Sequence, residues 1–86
     1  MNQPIVSIKD YGHIKLNIKE YMDAHHITRN ALARAINTRF EVVNKWYCGN
    51  IEKMDTDILA RICFVLNCEP GDIIEFVKPE PTSKNN

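Results

Sequence analysis

Long apolar runs are missing from this 86-residue chain. None approaches the roughly 18 residues that a membrane span needs, so no integral membrane protein is expected. The first twelve residues carry an acid at Asp10 and offer neither an extended apolar stretch nor a small-residue cleavage site, so no secretory signal is read there. Cysteine is scarce and odd in number. Cys48, Cys63 and Cys68 are separated by 15 and 5 residues, which matches no C-x-x-C zinc spacing, and no H-x-x-x-H follows. Reduced thiols in a cytoplasmic protein are the expectation, and a disulfide framework is not. Glycine-rich phosphate loops are absent: neither G-x-x-x-x-G-K-[ST] nor G-x-G-x-x-G occurs. The three histidines, His13, His25 and His26, come with no nucleophile and carboxylate at a defensible catalytic spacing. His25 and His26 are adjacent, so on a helix end they point about 100° apart and are poor joint metal ligands. An enzyme is therefore not expected, nor is a cofactor, a metal or a small-molecule ligand.

Net charge is missing as well, since 11 Lys and Arg balance 11 Asp and Glu. The distribution is informative where the total is not. Residues 1–53 hold 8 basic and 5 acidic side chains, and residues 54–86 hold 3 and 6, giving +3 and −3 for the two parts. A chain divided in this way can present a basic face to phosphate despite its neutral sum. Hydrophobic residues at 44% and charged residues at 26% suit a soluble globular domain. The length fits one domain with a modest core, burying about 60–65% of its unfolded surface.

Periodicity places helices in the middle and strands at the ends. From Pro4 to Leu16 the chain alternates in places, with Ile5, Val6 and Ile8 before Gly12 and Ile14 and Leu16 after it. One short strand, or two around a turn, fits. Asp72 to Lys78 also has β propensity and is stopped by Pro79. Two such segments can pair with each other, because a lone strand leaves its backbone groups unsatisfied. A first helix is expected over about 17–25, with Asn17 as cap and Glu20 at the capping-box position. Thr28 caps a second helix whose apolar face is Ala31, Leu32, Ala35 and Ile36, and Asn37 ends it. A third helix runs over about 39–47 with Val42, Val43 and Trp46 apolar, and Gly49 ends it. Asp55 or Thr56 caps a fourth helix carrying Ile58, Leu59, Ile62, Cys63 and Leu66, which Asn67 ends. Pro70 opens a short final turn over 70–74. The expected boundaries are an N-terminal arm or short strand over 1–13, a domain over 14–78 and a disordered tail over 79–86.

Two of these helices are joined by only about three residues, Asn37-Thr38-Arg39, and small Ala33 or Ala31 lets them cross closely. A tight pair of this kind projects its second helix outward. A helix of ~10–12 Å diameter fits a major groove ~12 Å wide. If Val43 and Trp46 face inward, then Phe40, Glu41, Asn44 and Lys45 face out and Arg39 stands at the start. These side chains suit base edges: Arg or Lys for guanine, Asn for adenine, Glu for the cytosine amino group, and Phe for the thymine methyl.

From about Ile14 to Phe76 the chain resembles the phage-repressor (Cro/CI-like, XRE-type) helix-turn-helix family. The resemblance lies in Ile14-Lys-Leu-Asn-Ile-Lys-Glu20, in Ile27-Thr28, Leu32-Ala33 and Gly49, and in Val65-Leu-Asn-Cys-Glu-Pro-Gly-Asp-Ile-Ile-Glu75. It covers about three quarters of the chain. It implies a mostly α, lambda-repressor-like DNA-binding domain of four or five helices with a minor pair of terminal strands. By register, Arg39, Phe40, Glu41, Asn44 and Lys45 are then the expected base-reading residues, and Thr28, Arg29, Asn50 and Lys53 the expected phosphate-binding residues. The departures are Asn37 at a turn that more often holds Gly, Cys48 where Asn is usual, and an aromatic and an acid among the reading positions.

The resulting expectation is a sequence-specific regulator of transcription, a repressor, acting as a homodimer on a palindromic operator in double-stranded DNA. Dimerisation is expected through the apolar segments Ile5–Ile8 and Ile73–Val77. The alternative is a protein-interaction module, or an antitoxin, on the same fold. Zero net charge, Glu41 and Phe40 favour that second reading.

Overall fold

Tyr11 and Gly12 lead into strand β1, His13–Leu16, in the computed structural model, which describes residues 11–79. Gly12 has φ +86°, and a Cβ there would collide with the carbonyl oxygen of Val77. This close approach brings the start of β1 against the end of β2, Ile74–Val77. The two strands pair antiparallel, with His13 opposite Val77 and Leu16 opposite Ile74. The segments expected to pair across the length of the domain do so. Residues 1–10, with Ile5, Val6 and Ile8, and residues 80–86 lie outside the described residues.

Five helices lie between the strands: α1 Ile18–Ala24, α2 Arg29–Ala35, α3 Phe40–Cys48, α4 Thr56–Leu66 and α5 Pro70–Ile73. Asn17 stands at the cap of α1 but does not cap it with its side chain. Its amide donates instead to Glu75 Oε1 at 3.1 Å, and its backbone N–H donates to the Ile73 carbonyl at 2.8 Å. The residue between strand and helix is thus drawn to the far end of the chain. At the other end of α1, His25 stacks on Tyr21 with ring centroids 4.4 Å apart, and its Nδ1 bonds the Tyr21 carbonyl at 2.8 Å.

Thr28 caps α2, its hydroxyl oxygen accepting from the Ala31 N–H at 3.1 Å. The buried face of this segment is Leu32, Ala33 and Ile36, while Ala31 and Ala35 are exposed. The expected stripe is therefore rotated by one position. Alanine is small enough to sit on either face, so the contact with α3 decides which one is covered. Asn37 takes φ +59° and reverses the chain, with Thr38 N–H donating to the Ala33 carbonyl.

α3 starts one residue later than expected, with Arg39 as its cap, and ends at Gly49 with φ +79°. Asp55 caps α4, accepting from the N–H groups of Asp57 and Ile58. Arg61 ties α4 to α2 by donating to the Ile36 carbonyl at 3.0 Å. Asn67 ends α4 at φ +55°. The core draws on every helix and is centred on Ile18, Met22, Leu32, Val43, Trp46, Ile62 and Ile73, each at most 2% exposed.

Candidate nucleic-acid interface

Val43 and Trp46 anchor α3 from beneath, which fixes what the helix can present. Arg39, Phe40, Glu41 and Lys45 are all exposed, and Asn44 is half-buried. The five expected reading positions therefore lie on α3 and its cap, with Phe40 only 38% exposed. Arg39 occupies the cap in extended geometry without using its side chain for capping.

Arg29, the first residue of α2, stands over this helix. Its guanidinium donates to Asn44 Oδ1 at 2.7 Å and lies 5.4 Å from the centre of the Phe40 ring and 4.8 Å from that of Tyr47. One cation thus fastens the start of α2 to the first, second and last turns of α3. Asn44 also accepts from the Cys48 thiol at 3.7 Å, so its carbonyl oxygen is committed to two donors within the protein. Thr28 and Arg29 border, together with Phe40 and Tyr47, a concavity of about 620 Å³. The Thr28 oxygen is used as a cap, which leaves the hydroxyl proton to donate.

Lys45, Asn50 and Lys53 come together at the other end of α3 around a second concavity of about 440 Å³. Gly49 makes this possible: its left-handed turn lets the Asn50 N–H donate back to the Lys45 carbonyl at 2.9 Å and swings the following loop alongside the helix. The expected phosphate-binding residues therefore fall into two groups, Thr28 with Arg29 at the start of α2 and Asn50 with Lys53 in the loop after α3.

The Cro/C1-type HTH DNA-binding domain family matches residues 17–79 of the chain. The chain belongs to that family. Two solved structures share its fold. A candidate DNA-binding protein from Bacteroides fragilis is 19% identical with a TM-score of 0.65, over 73% of this chain and all of that one. The transcriptional regulator VanUg is 23% identical with a TM-score of 0.64, over 91% of this chain and all of that one. No curated protein sequence matches the chain significantly. No helix among the described residues is long and apolar enough to cross a membrane.

This Cro/C1-type domain also uses residues that the sequence did not single out. Tyr47 donates to Asp23 Oδ1 at 2.8 Å, and Lys19 donates to Asp23 Oδ2 at 3.0 Å. The hydrogen bond from Lys19, followed by that from Tyr47, holds the Asp23 carboxyl below its ordinary value. The same carboxylate raises Lys19 and Tyr47 above theirs. The group ties α3 to α1, while Arg29 ties it to α2. Tyr47 lies four residues after Val43, which is a signal for a second inward-leaning position, but Trp46 already satisfied that face.

Proposed function

We propose that this domain represses transcription by binding duplex DNA as a homodimer, with α3 in the major groove. The observation that carries the reading is the outward row of Arg39, Phe40, Glu41 and Lys45 on a helix held from beneath by Val43 and Trp46, in a chain of a DNA-binding family. In this reading Arg39, Phe40, Glu41, Lys45 and the Asn44 amino group meet base edges. Thr28, Arg29, Asn50 and Lys53 hold phosphates on either side and set the register of the helix. Repression follows from occlusion of a promoter. A two-fold dimer reads a palindrome whose half-sites lie about one helical turn (~34 Å) apart.

The test is selection of bound sequences from random duplex DNA at moderate salt, with Lys45→Ala in parallel. An enriched palindrome that Lys45→Ala loses supports the reading and gives the operator. Lys45 is exposed, so its replacement leaves the thermal midpoint unchanged. No enrichment by folded protein would move the assignment to the protein-partner or antitoxin reading, which Glu41 on the outward face favours.

A further inference from the structure

Cys63, near the end of α4, and Cys68, just beyond it, border neither of the two concavities beside α3. The way α4 ends brings them together. Asn67 turns left-handed at φ +55°, so its N–H donates to the Phe64 carbonyl at 3.3 Å and the Cys68 N–H donates to the Cys63 carbonyl at 3.0 Å. In a helix end of this kind the side chains at these two positions meet, and the contact is frequently an apolar one. Here both are free thiols, and both are half-buried. We propose that Cys63 and Cys68 are a dithiol pair that a small disulfide of the glutathione class oxidises reversibly to a bridge within one copy of the chain.

Distance permits the bridge. The backbone bond between the two residues holds their Cα atoms within about 7 Å, the limit beyond which two cysteines cannot be joined without backbone movement. The thiols are neighbours as well: after burial, the Cys63 thiol is the next cause that raises Cys68, by charge and by hydrogen bond. The turn between them is held from the α1 side, where the Tyr21 hydroxyl donates to the Leu66 carbonyl at 3.3 Å. The exchange balances. Cys63, as its thiolate, attacks one sulfur of the small disulfide and expels one small thiol, leaving a mixed disulfide. Cys68 then gives up its proton, attacks the Cys63 sulfur of that mixed disulfide and expels the second small thiol. The two protein thiols lose two electrons and two protons, and the small disulfide gains both. Cys68 comes second because burial, chiefly, keeps its proton on at neutral pH. The ring spans only residues 63–68, so it removes little loop entropy, and a small thiol in excess reopens it. None of this rests on the DNA-binding reading.

The test uses the whole chain carrying Cys48→Ser, which leaves this pair as its only thiols. The folded protein is equilibrated with oxidised and reduced glutathione at about pH 8, quenched with acid, and followed by mass spectrometry of the intact chain and its peptides. The expected product has lost two hydrogens, carries no glutathione and stays joined through Cys63 and Cys68 after cleavage at Phe64. Its thermal midpoint is expected to lie slightly above that of the reduced chain and to return when a dithiol reductant is added. Cys63→Ser and Cys68→Ser in the same background are expected to stop at the mixed disulfide. Glutathione stably attached to both cysteines, thiols that react only after urea unfolds the chain, or a bridge that lowers the thermal midpoint would each overturn the proposal.

Discussion

Single side chains decide how firmly the presented helix is held. Arg29 touches Asn44, Phe40 and Tyr47 at once, so its rotamer is fixed before any ligand arrives, and with it the direction of the Asn44 amide. Tyr47 acts on the other flank through Asp23. Tyr47→Phe removes that bond, and the thermal midpoint is expected to fall modestly at neutral pH. The sign with pH follows from the carboxylate. Asp23 is depressed in the folded domain, so its contribution is present above its ordinary value of 3.8 and is lost as pH falls through the lower folded value. The difference between wild type and Tyr47→Phe, measured by thermal melts, should shrink as pH drops below about 4. The thiols make a second residue-scale prediction. Burial, then the neighbouring Cys63, pushes the Cys68 thiol up to about 11, so at pH 8 only about one molecule in a thousand carries its thiolate. Cys48 is exposed. A chromogenic disulfide reagent at pH 8 is expected to titrate one thiol fast and two slowly, and Cys48→Ser should abolish the fast phase. None of these pairings was legible in the sequence. Asp23 and Tyr47 are 24 positions apart, and nothing in either local pattern names the other.

At the scale of elements, most of the fold was legible, because local chemistry fixes where helices begin and end. Thr28 and Asp55 cap, Asn37, Gly49 and Asn67 reverse the chain, and Pro70 opens α5, as their side chains or φ preferences require. Asp55 serves two N–H groups of α4, so Asp55→Ala is expected to cost about 1 kcal/mol. In a domain of this size that lowers the thermal midpoint by about 4–8 °C in a calorimetric scan. A midpoint shift under about 1 °C would mean that packing of Ile58 and Ile62, not the cap, fixes the start of α4. Two features were misread for one physical reason. Asn17 has the side chain of a cap, but Glu75 lies 58 positions away and takes its amide. Ala31, Ala33 and Ala35 are equally acceptable facing in or out, so the face of α2 was set by α3 and not by its own residues. Where a residue is tolerant, tertiary contact decides.

For the molecule as a whole, a net charge of zero looks unfavourable for a polyanion, yet it is the wrong quantity to weigh. Charges farther apart than about 8 Å are largely screened at physiological ionic strength, so phosphate responds to the local face and not to the sum. Five of the nine described basic residues, Arg29, Arg34, Arg39, Lys45 and Lys53, sit on α2, on α3 with its cap, and in the loop after it. The acidic ones concentrate from α4 to β2, as Asp55, Asp57, Glu69, Asp72 and Glu75. If Arg29 and Lys53 each neutralise one phosphate, a single copy on a half-site makes two such contacts and a dimer four. The logarithm of affinity against the logarithm of salt should then have a slope of about −2 for the half-site and about −4 for the full site. Lys53→Gln, which removes one contact per copy, should flatten the full-site slope by about 2 while leaving the preferred sequence unchanged. A protein partner on the same helix would give a slope near zero and no response to Lys53. Binding with a slope near zero would therefore count against DNA whatever the family. A steep slope that ignores Lys53 would place the basic contacts elsewhere than the loop after α3.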